Sequence, residues 1–236
     1  MPVPHPPRVR ALLFDLDGTL YDQRRLRVAM ARRLLTAHLR SPWAGWRTAR
    51  MLSAYRHAQE RLRGQAPERR LDDAQLQLAA RASGAAADEV AACVERWMVQ
   101  APLPLLGGCR RPAILDCLAW ARRRDFRLGV VSDYPAAAKL EALGLRHWFD
   151  VVVAAQDDGV QRFKPDPTGL LVALQRLAVP AAEALYIGDR PDVDGETARR
   201  AGVAWLIVGG GGAADDRIDG FDDIPRLLEA GRVGSD

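Results

Sequence analysis

The hydrophobic pattern of this chain changes character twice. Residues 9–14 form a short, nearly unbroken apolar run that stops abruptly at Asp15-Leu16-Asp17-Gly18-Thr19. Such a run predicts a strand buried on both faces. From residue 22 to about 106 the apolar positions recur at helical spacing instead. Residues 23–40 carry Leu26, Met30, Leu34 and Leu35, and residues 43–63 carry Trp46, Met51, Tyr55 and Leu62. Two further helices are predicted over 71–82 and 88–100, with Asp88 as an N-cap and Gly64, Pro67 and Ser83-Gly84 as breaks between helices. No strand pattern intervenes, so this stretch reads as a separate all-helical unit. Residues 101–108, with two prolines and two glycines, read as the linker back.

Beyond the linker the pattern alternates. Helices are predicted at 111–124, 136–143, 167–177, around 197–201 and 224–230. Strands are predicted at 127–131, 149–154, 184–187 and 203–208. Strands separated by helices imply a parallel sheet covered on both faces. The expected fold is therefore α/β, a doubly wound parallel sheet interrupted after its first strand by a helical insertion. The division is 1–21 and 107–236 for the sheet domain and 22–106 for the insert.

Composition narrows the function classes. Apolar residues make up 48% of the 236, enough for a buried core. No apolar run approaches the ~20 residues of a membrane span, and the proline-rich start lacks the apolar stretch of a secretory leader. A cytoplasmic protein without a membrane partner is expected. The three cysteines (Cys93, Cys109 and Cys117) show no paired spacing, which argues against a disulfide framework or a zinc site. The four histidines are scattered. The sequence pI of about 9.3 invites a nucleic-acid reading. Against it, the net charge is only +4 and the bases are interspersed with acids. Of 34 basic residues only Lys139 and Lys164 are lysines.

Ligands of an open parallel sheet bind beyond the carboxyl ends of its strands. Four polar clusters fall there: Asp15/Asp17, Ser132/Asp133, Lys164 and Asp189/Asp194. Far apart in sequence, they are expected to meet at one edge. Two carboxylates two residues apart at a strand end repel each other, and a divalent cation relieves that repulsion. Magnesium takes oxygen ligands and keeps several waters, so a few carboxylates plus a phosphate suit it. Gly18 permits a tight bend directly after the pair.

Phe14-Asp15-Leu16-Asp17-Gly18-Thr19-Leu20 resembles the first motif of the haloacid dehalogenase superfamily. Val130-Val131-Ser132 resembles the second, Lys164-Pro165-Asp166-Pro167 the third, and Ile187-Gly188-Asp189-Arg190-Pro191-Asp192-Val193-Asp194 the fourth. All four stand in the family's order. The helical insert resembles the cap of its phosphoglycolate-phosphatase-like branch. The resemblance implies a Rossmann-like catalytic core and a magnesium-dependent phosphatase acting on a small soluble phosphate monoester. Asp15 is then the nucleophile, forming an aspartyl-phosphate, and Asp17 the general acid and base. Asp15, Asp189 and the backbone carbonyl of Asp17 are the implied metal ligands, with Asp194 supporting the metal from behind. Ser132, the Asp133 amide and Lys164 are the implied phosphate ligands. At Asp133 the pattern more often has Asn. An extra negative charge there is expected to point away from the phosphate or to meet an arginine of the insert.

Two related chemistries share the fold. A phosphomutase or phosphotransferase would hold an acceptor in place of water. A 2-haloacid dehalogenase would leave Asp17, Asp189 and Asp194 without a purpose, because halide needs neither proton nor metal. Three further features carry less weight. Gly209 to Gly212 lacks the Lys-Ser/Thr of a phosphate loop. Trp43, Trp46 and Trp97 are expected to pack in the core or against the sheet domain. Arg24 and Arg25 are expected to be solvated. The sequence assigns no oligomeric state.

Overall fold

The computed structural model describes residues 9–209 and 216–230; Gly210 to Gly212 of the glycine run lie outside them. Strands β1 (Ala11–Phe14), β2 (Arg127–Ser132), β3 (Val151–Ala154), β4 (Ala184–Gly188), β5 (Ala204–Val208) and the short β6 (Arg217–Ile218) form one sheet in the order β3-β2-β1-β4-β5-β6. Every pairing is parallel. β1 lies between β2 and β4, with Phe14 opposite Val130 on one side and Ile187 on the other. This register brings the carboxyl ends of three strands to one edge, where Asp15, Ser132 and Gly188 stand.

Alternation within the strands explains why both faces are covered. Leu12, Phe14, Leu128, Val130, Leu185 and Ile187 face one apolar cluster. Helices α6 (Ile114–Arg123), α7 (Ala137–Ala142) and α10 (Asp223–Glu229) close it with Leu118, Leu140 and Ile224. Ala11, Leu13, Val131 and Tyr186 face the other cluster, closed by Leu170 and Leu174 of α8 (Thr168–Leu177) and Ala198 of α9 (Glu196–Ala201). A strand buried on both sides has no polar positions to spare, which is why β1 reads as an unbroken apolar run.

The α-helices of the segment that precedes α6 are α1 (Gln23–Ala37), α2 (Pro42–Leu62), α3 (Leu71–Ser83), α4 (Ala87–Val94) and α5 (Leu103–Leu106). Met51, Tyr55 and Ala58 of α2 pack with Ala79 of α3, Val90 and Cys93 of α4, and Trp97 in a cluster of their own. Leu26 of α1 and Leu106 of α5 belong instead to the sheet's cluster, so both ends of the helical segment are rooted in the sheet domain. Three local expectations are corrected. Residues 101–108 are not an open linker: α5 and a 3₁₀ turn at Gly107–Cys109 occupy them, driven by burial of Leu106 and Cys109, and Pro104 is tolerated within the first helical turn. Asp88 is not the cap of α4 but lies in its first turn, where its charge still suits the helix dipole. Of the three tryptophans, only Trp97 is buried; Trp43 and Trp46 are 72% and 50% exposed and stack on each other at 4.8 Å. Among the described residues, no helix is long and apolar enough to cross a membrane.

Asp150, just before β3, ties the sheet to α6. Its carboxylate accepts the Leu128 amide at 2.8 Å and both terminal nitrogens of Arg122, at 3.1 and 3.0 Å. Partial burial pushes its carboxyl up, but the Leu128 amide and Arg122 outweigh that and hold it below the ordinary carboxylate range. A carboxyl depressed in the folded state adds stability above its unfolded value of about 3.9, and that stability is lost as pH falls through the folded value. Asp150→Asn should therefore lower stability by about 1–2 kcal/mol at neutral pH, with a gap from the parent protein that shrinks in acid. Urea denaturation at several pH values measures both.

Candidate active site

The first strand delivers Asp15 to the edge of the sheet, where its amide bonds to the Ile187 carbonyl at 2.8 Å. The Asp15 side chain is buried, and two donors hold it. Lys164 Nζ lies 2.5 Å from Asp15 Oδ1, and the Thr19 hydroxyl donates to Oδ2 at 3.0 Å. Lys164 also donates to Asp194 Oδ1 at 2.6 Å. Tyr186, fully buried on β4, places its hydroxyl 3.2 Å from Lys164 Nζ and 3.3 Å from Asp194 Oδ1. One ammonium thus links the ends of β1 and β4.

Asp189 completes the acidic group. Asp15, Asp189 and Asp194 each offer a carboxylate oxygen, all within 4.8 Å of one another. Three carboxylates share a single neighbouring ammonium, and the excess negative charge acts on Asp15 and Asp189. Burial, reinforced by Asp194, raises the Asp189 carboxyl to about 6. Burial also raises Asp15, with Asp194 and Asp189 adding to it and Lys164 opposing. Lys164 keeps its proton against burial because Asp15 and Asp194 hold it. An all-oxygen, electron-rich set of this kind fits a hard divalent cation. Asp194 spends its other oxygen on the chain itself, accepting the amides of Asp189 (3.2 Å) and Arg190 (3.0 Å).

Two glycines allow this crowding. Gly18 has φ +103°, and a Cβ there would lie 2.2 Å from Asp189 Oδ2. A Cβ on Gly188 would lie 2.3 Å from that of Asp194. Arg111 fixes the Gly18 turn from outside, donating to the Gly18 carbonyl at 2.7 and 3.1 Å.

Asp17 stands apart from this group. Both its oxygens accept from Lys139, at 2.7 and 2.8 Å, and Oδ1 also accepts the Tyr21 hydroxyl at 2.6 Å. Burial would raise its carboxyl, but Lys139 and then Tyr21 bring it below the ordinary value. Ser132 is buried at the end of β2, and its hydroxyl accepts the Tyr134 amide at 3.2 Å. The Asp133 carboxylate turns toward the helical segment. It accepts Arg63 Nη1 at 2.8 Å and Gln59 Nε2 at 2.9 Å, both from the end of α2, and the Lys164 amide at 3.0 Å. Arg63 reaches the Lys164 carbonyl as well. Glu60, on the same turn, faces Arg190 at 3.5 Å.

Of the residues expected from sequence, Asp15, Lys164, Asp189 and Asp194 are in direct mutual reach. Asp17 and Ser132 border them, and the Asp133 side chain is committed to Arg63. Sequence reasoning missed Lys139, Tyr186, Tyr21 and the Gln59/Arg63 pair. The scarcity of lysine was a usable signal for Lys139; the others occupy unremarkable helical or strand positions.

The haloacid dehalogenase-like hydrolase family matches residues 9–202. A glyceraldehyde 3-phosphate phosphatase of Methanopyrus kandleri is 30% identical over 231 residues, covering 92% of this chain and 91% of that protein. A plasmid-borne phosphoglycolate phosphatase of Cupriavidus necator is 34% identical over 134 residues, 52% of this chain and 57% of that enzyme. Among solved structures, the HAD-hydrolase YfnB of Bacillus subtilis, determined with magnesium bound, superposes with a TM-score of 0.67 over 94% of this chain and 99% of its own, at 17% identity. The chain belongs to the haloacid dehalogenase-like hydrolases.

Metal ligation requires ionised carboxylates. Because burial raises the Asp189 carboxyl to about 6, any affinity of this cluster for a divalent cation, measured by calorimetry with magnesium, should fall as pH drops below that value. Gly18→Ala, by forcing Asp189 aside, should weaken any such cation binding at least ~10-fold at pH 7.5.

Proposed function

We propose that this enzyme is a magnesium-dependent phosphatase that cleaves a small phosphate monoester through an aspartyl-phosphate on Asp15. Its class is that of hydrolases acting on phosphoric monoesters, the class of the relatives named above. The observation that carries the mechanism is the buried Asp15–Lys164–Asp194 linkage beside Asp189. It joins a carboxylate at a strand end to a fixed positive charge, within an oxygen cluster suited to a cation.

The chemistry runs in two displacements. A carboxylate oxygen of Asp15 attacks phosphorus, the ester P–O bond breaks, and the leaving oxygen takes a proton from Asp17. Water then attacks the phosphorus as Asp17 removes its proton, releasing phosphate and restoring Asp15. Lys139 favours the carboxylate form of Asp17, the form the second step needs. A dianionic phosphate arriving nearby opposes that preference and favours the proton needed first. Lys164 offsets charge on the transferring group, and the Ser132 hydroxyl and Asp133 amide supply hydrogen bonds to it. A bound magnesium, held by Asp15, Asp189 and the Asp17 carbonyl with Asp194 behind, would offset the repulsion between nucleophile and phosphate.

In this reading residues 22–106 are a cap on a catalytic core of 1–21 and 107–236. Gln59 and Glu60 of α2, and Arg63 at its C-cap, reach the rim of the site, the place from which a cap excludes bulk water. The substrate is a small phosphorylated metabolite of the kind named for the relatives. Three buried, unpaired cysteines suit the reducing cytoplasm.

The test is phosphate release from p-nitrophenyl phosphate and from a panel of phosphorylated metabolites. Activity should require magnesium and vanish with chelator, and Asp15→Asn should lower kcat by at least ~10³-fold. Acid-stable retention of ³²P on the wild type but not on that variant should accompany turnover. Activity surviving both chelation and Asp15→Asn would refute the reading.

A further inference from the structure

We propose that Lys139 is a positioning residue for Asp17, locking its carboxylate so that Oδ2 is the oxygen presented to the leaving group. This inference rests on the acid–base role proposed for Asp17.

The geometry carries it. Lys139 Nζ bridges both oxygens of Asp17, at 2.7 and 2.8 Å. Tyr21 adds a second donor to Oδ1 alone, at 2.6 Å. Oδ1 thus accepts two bonds and Oδ2 one, so Oδ2 retains the free capacity to exchange a proton with an incoming oxygen. An aspartate side chain otherwise turns freely about its terminal torsion, which is broad and roughly two-fold. Two bonds from one ammonium and a third from a tyrosine remove that freedom.

The support for Lys139 is itself fixed. Lys139 sits in α7, which starts shortly after β2 ends at Ser132, and its neighbour Leu140 is fully buried in the sheet's core. The lysine side chain is 14% exposed. Composition gives an independent indication. Among 34 basic residues only two are lysines, and the structure sets one against each aspartate of the first motif: Lys164 on Asp15 and Lys139 on Asp17. A compact ammonium can bridge both oxygens of a carboxylate within a space that a planar guanidinium overfills.

Proton donation matters most when the leaving group is a poor one. The experiment compares kcat/KM for p-nitrophenyl phosphate and phenyl phosphate, the latter releasing a phenol about as basic as tyrosine, pKa roughly 10. Lys139→Met should raise the ratio of the first to the second by ~10-fold or more, within the ~10²–10⁴-fold range of general acid catalysis. Lys139→Arg should restore part of the wild-type ratio. In an Asp17→Asn background, which by itself raises the ratio, Lys139→Met should add nothing further. Equal losses on both esters, or an unchanged ratio, would overturn the proposal for Lys139 while leaving Asp17 in place. An Asp17→Asn variant with the wild-type ratio, or a wild type inactive on both esters, would instead remove the acid–base reading and this inference with it.

Discussion

The ammonium of Lys164, buried between Asp15 and Asp194, is the contact on which the rest of the architecture depends. Three carboxylates gathered at the edge of an apolar sheet repel one another, and burial strengthens the repulsion. One lysine partly offsets this, and Tyr186 and the amides of Asp189 and Arg190 satisfy remaining acceptor capacity. The negative charge that remains suits a divalent cation. Stability and function therefore pull in opposite directions here, and the surrounding apolar packing holds the cluster together.

That packing explains the shape of the site. β1 is buried on both faces, so its end is held rigidly, and the register with β2 and β4 aligns Asp15 with Ser132 and Gly188. Gly18 and Gly188 let backbone approach the carboxylates more closely than any side chain would allow. The result is an acidic side chain, Asp15, placed by a rigid strand end, which fixes its position closely.

The helical segment contributes through the end of α2. Arg63, Gln59 and Asp133 form a polar junction that touches the backbone of Lys164 on both sides, through its amide and its carbonyl. The position of the helices over the rim is thus coupled to the residue that pairs with Asp15. The aspartate in place of the more usual Asn acquires a physical reason: a carboxylate there answers Arg63, and its charge is neutralised by that pairing.

Local pattern alone carried the alternation of strands and helices, the helical insertion and the convergence of Asp15, Lys164, Asp189 and Asp194, because burial on both faces and strand-end placement write themselves into the order of apolar and polar residues. The family resemblance rested on the same short motifs. Contacts between side chains far apart in sequence left no such trace. The pairing of Lys139 with Asp17 spans 122 residues, and that of Arg63 with Asp133 spans 70. The exposure of Trp43 and Trp46 and the helix at Leu103–Leu106 likewise depended on which surfaces the fold covers. Periodicity reports which face of an element is buried; only the packed tertiary structure determines which partner each buried or charged group meets.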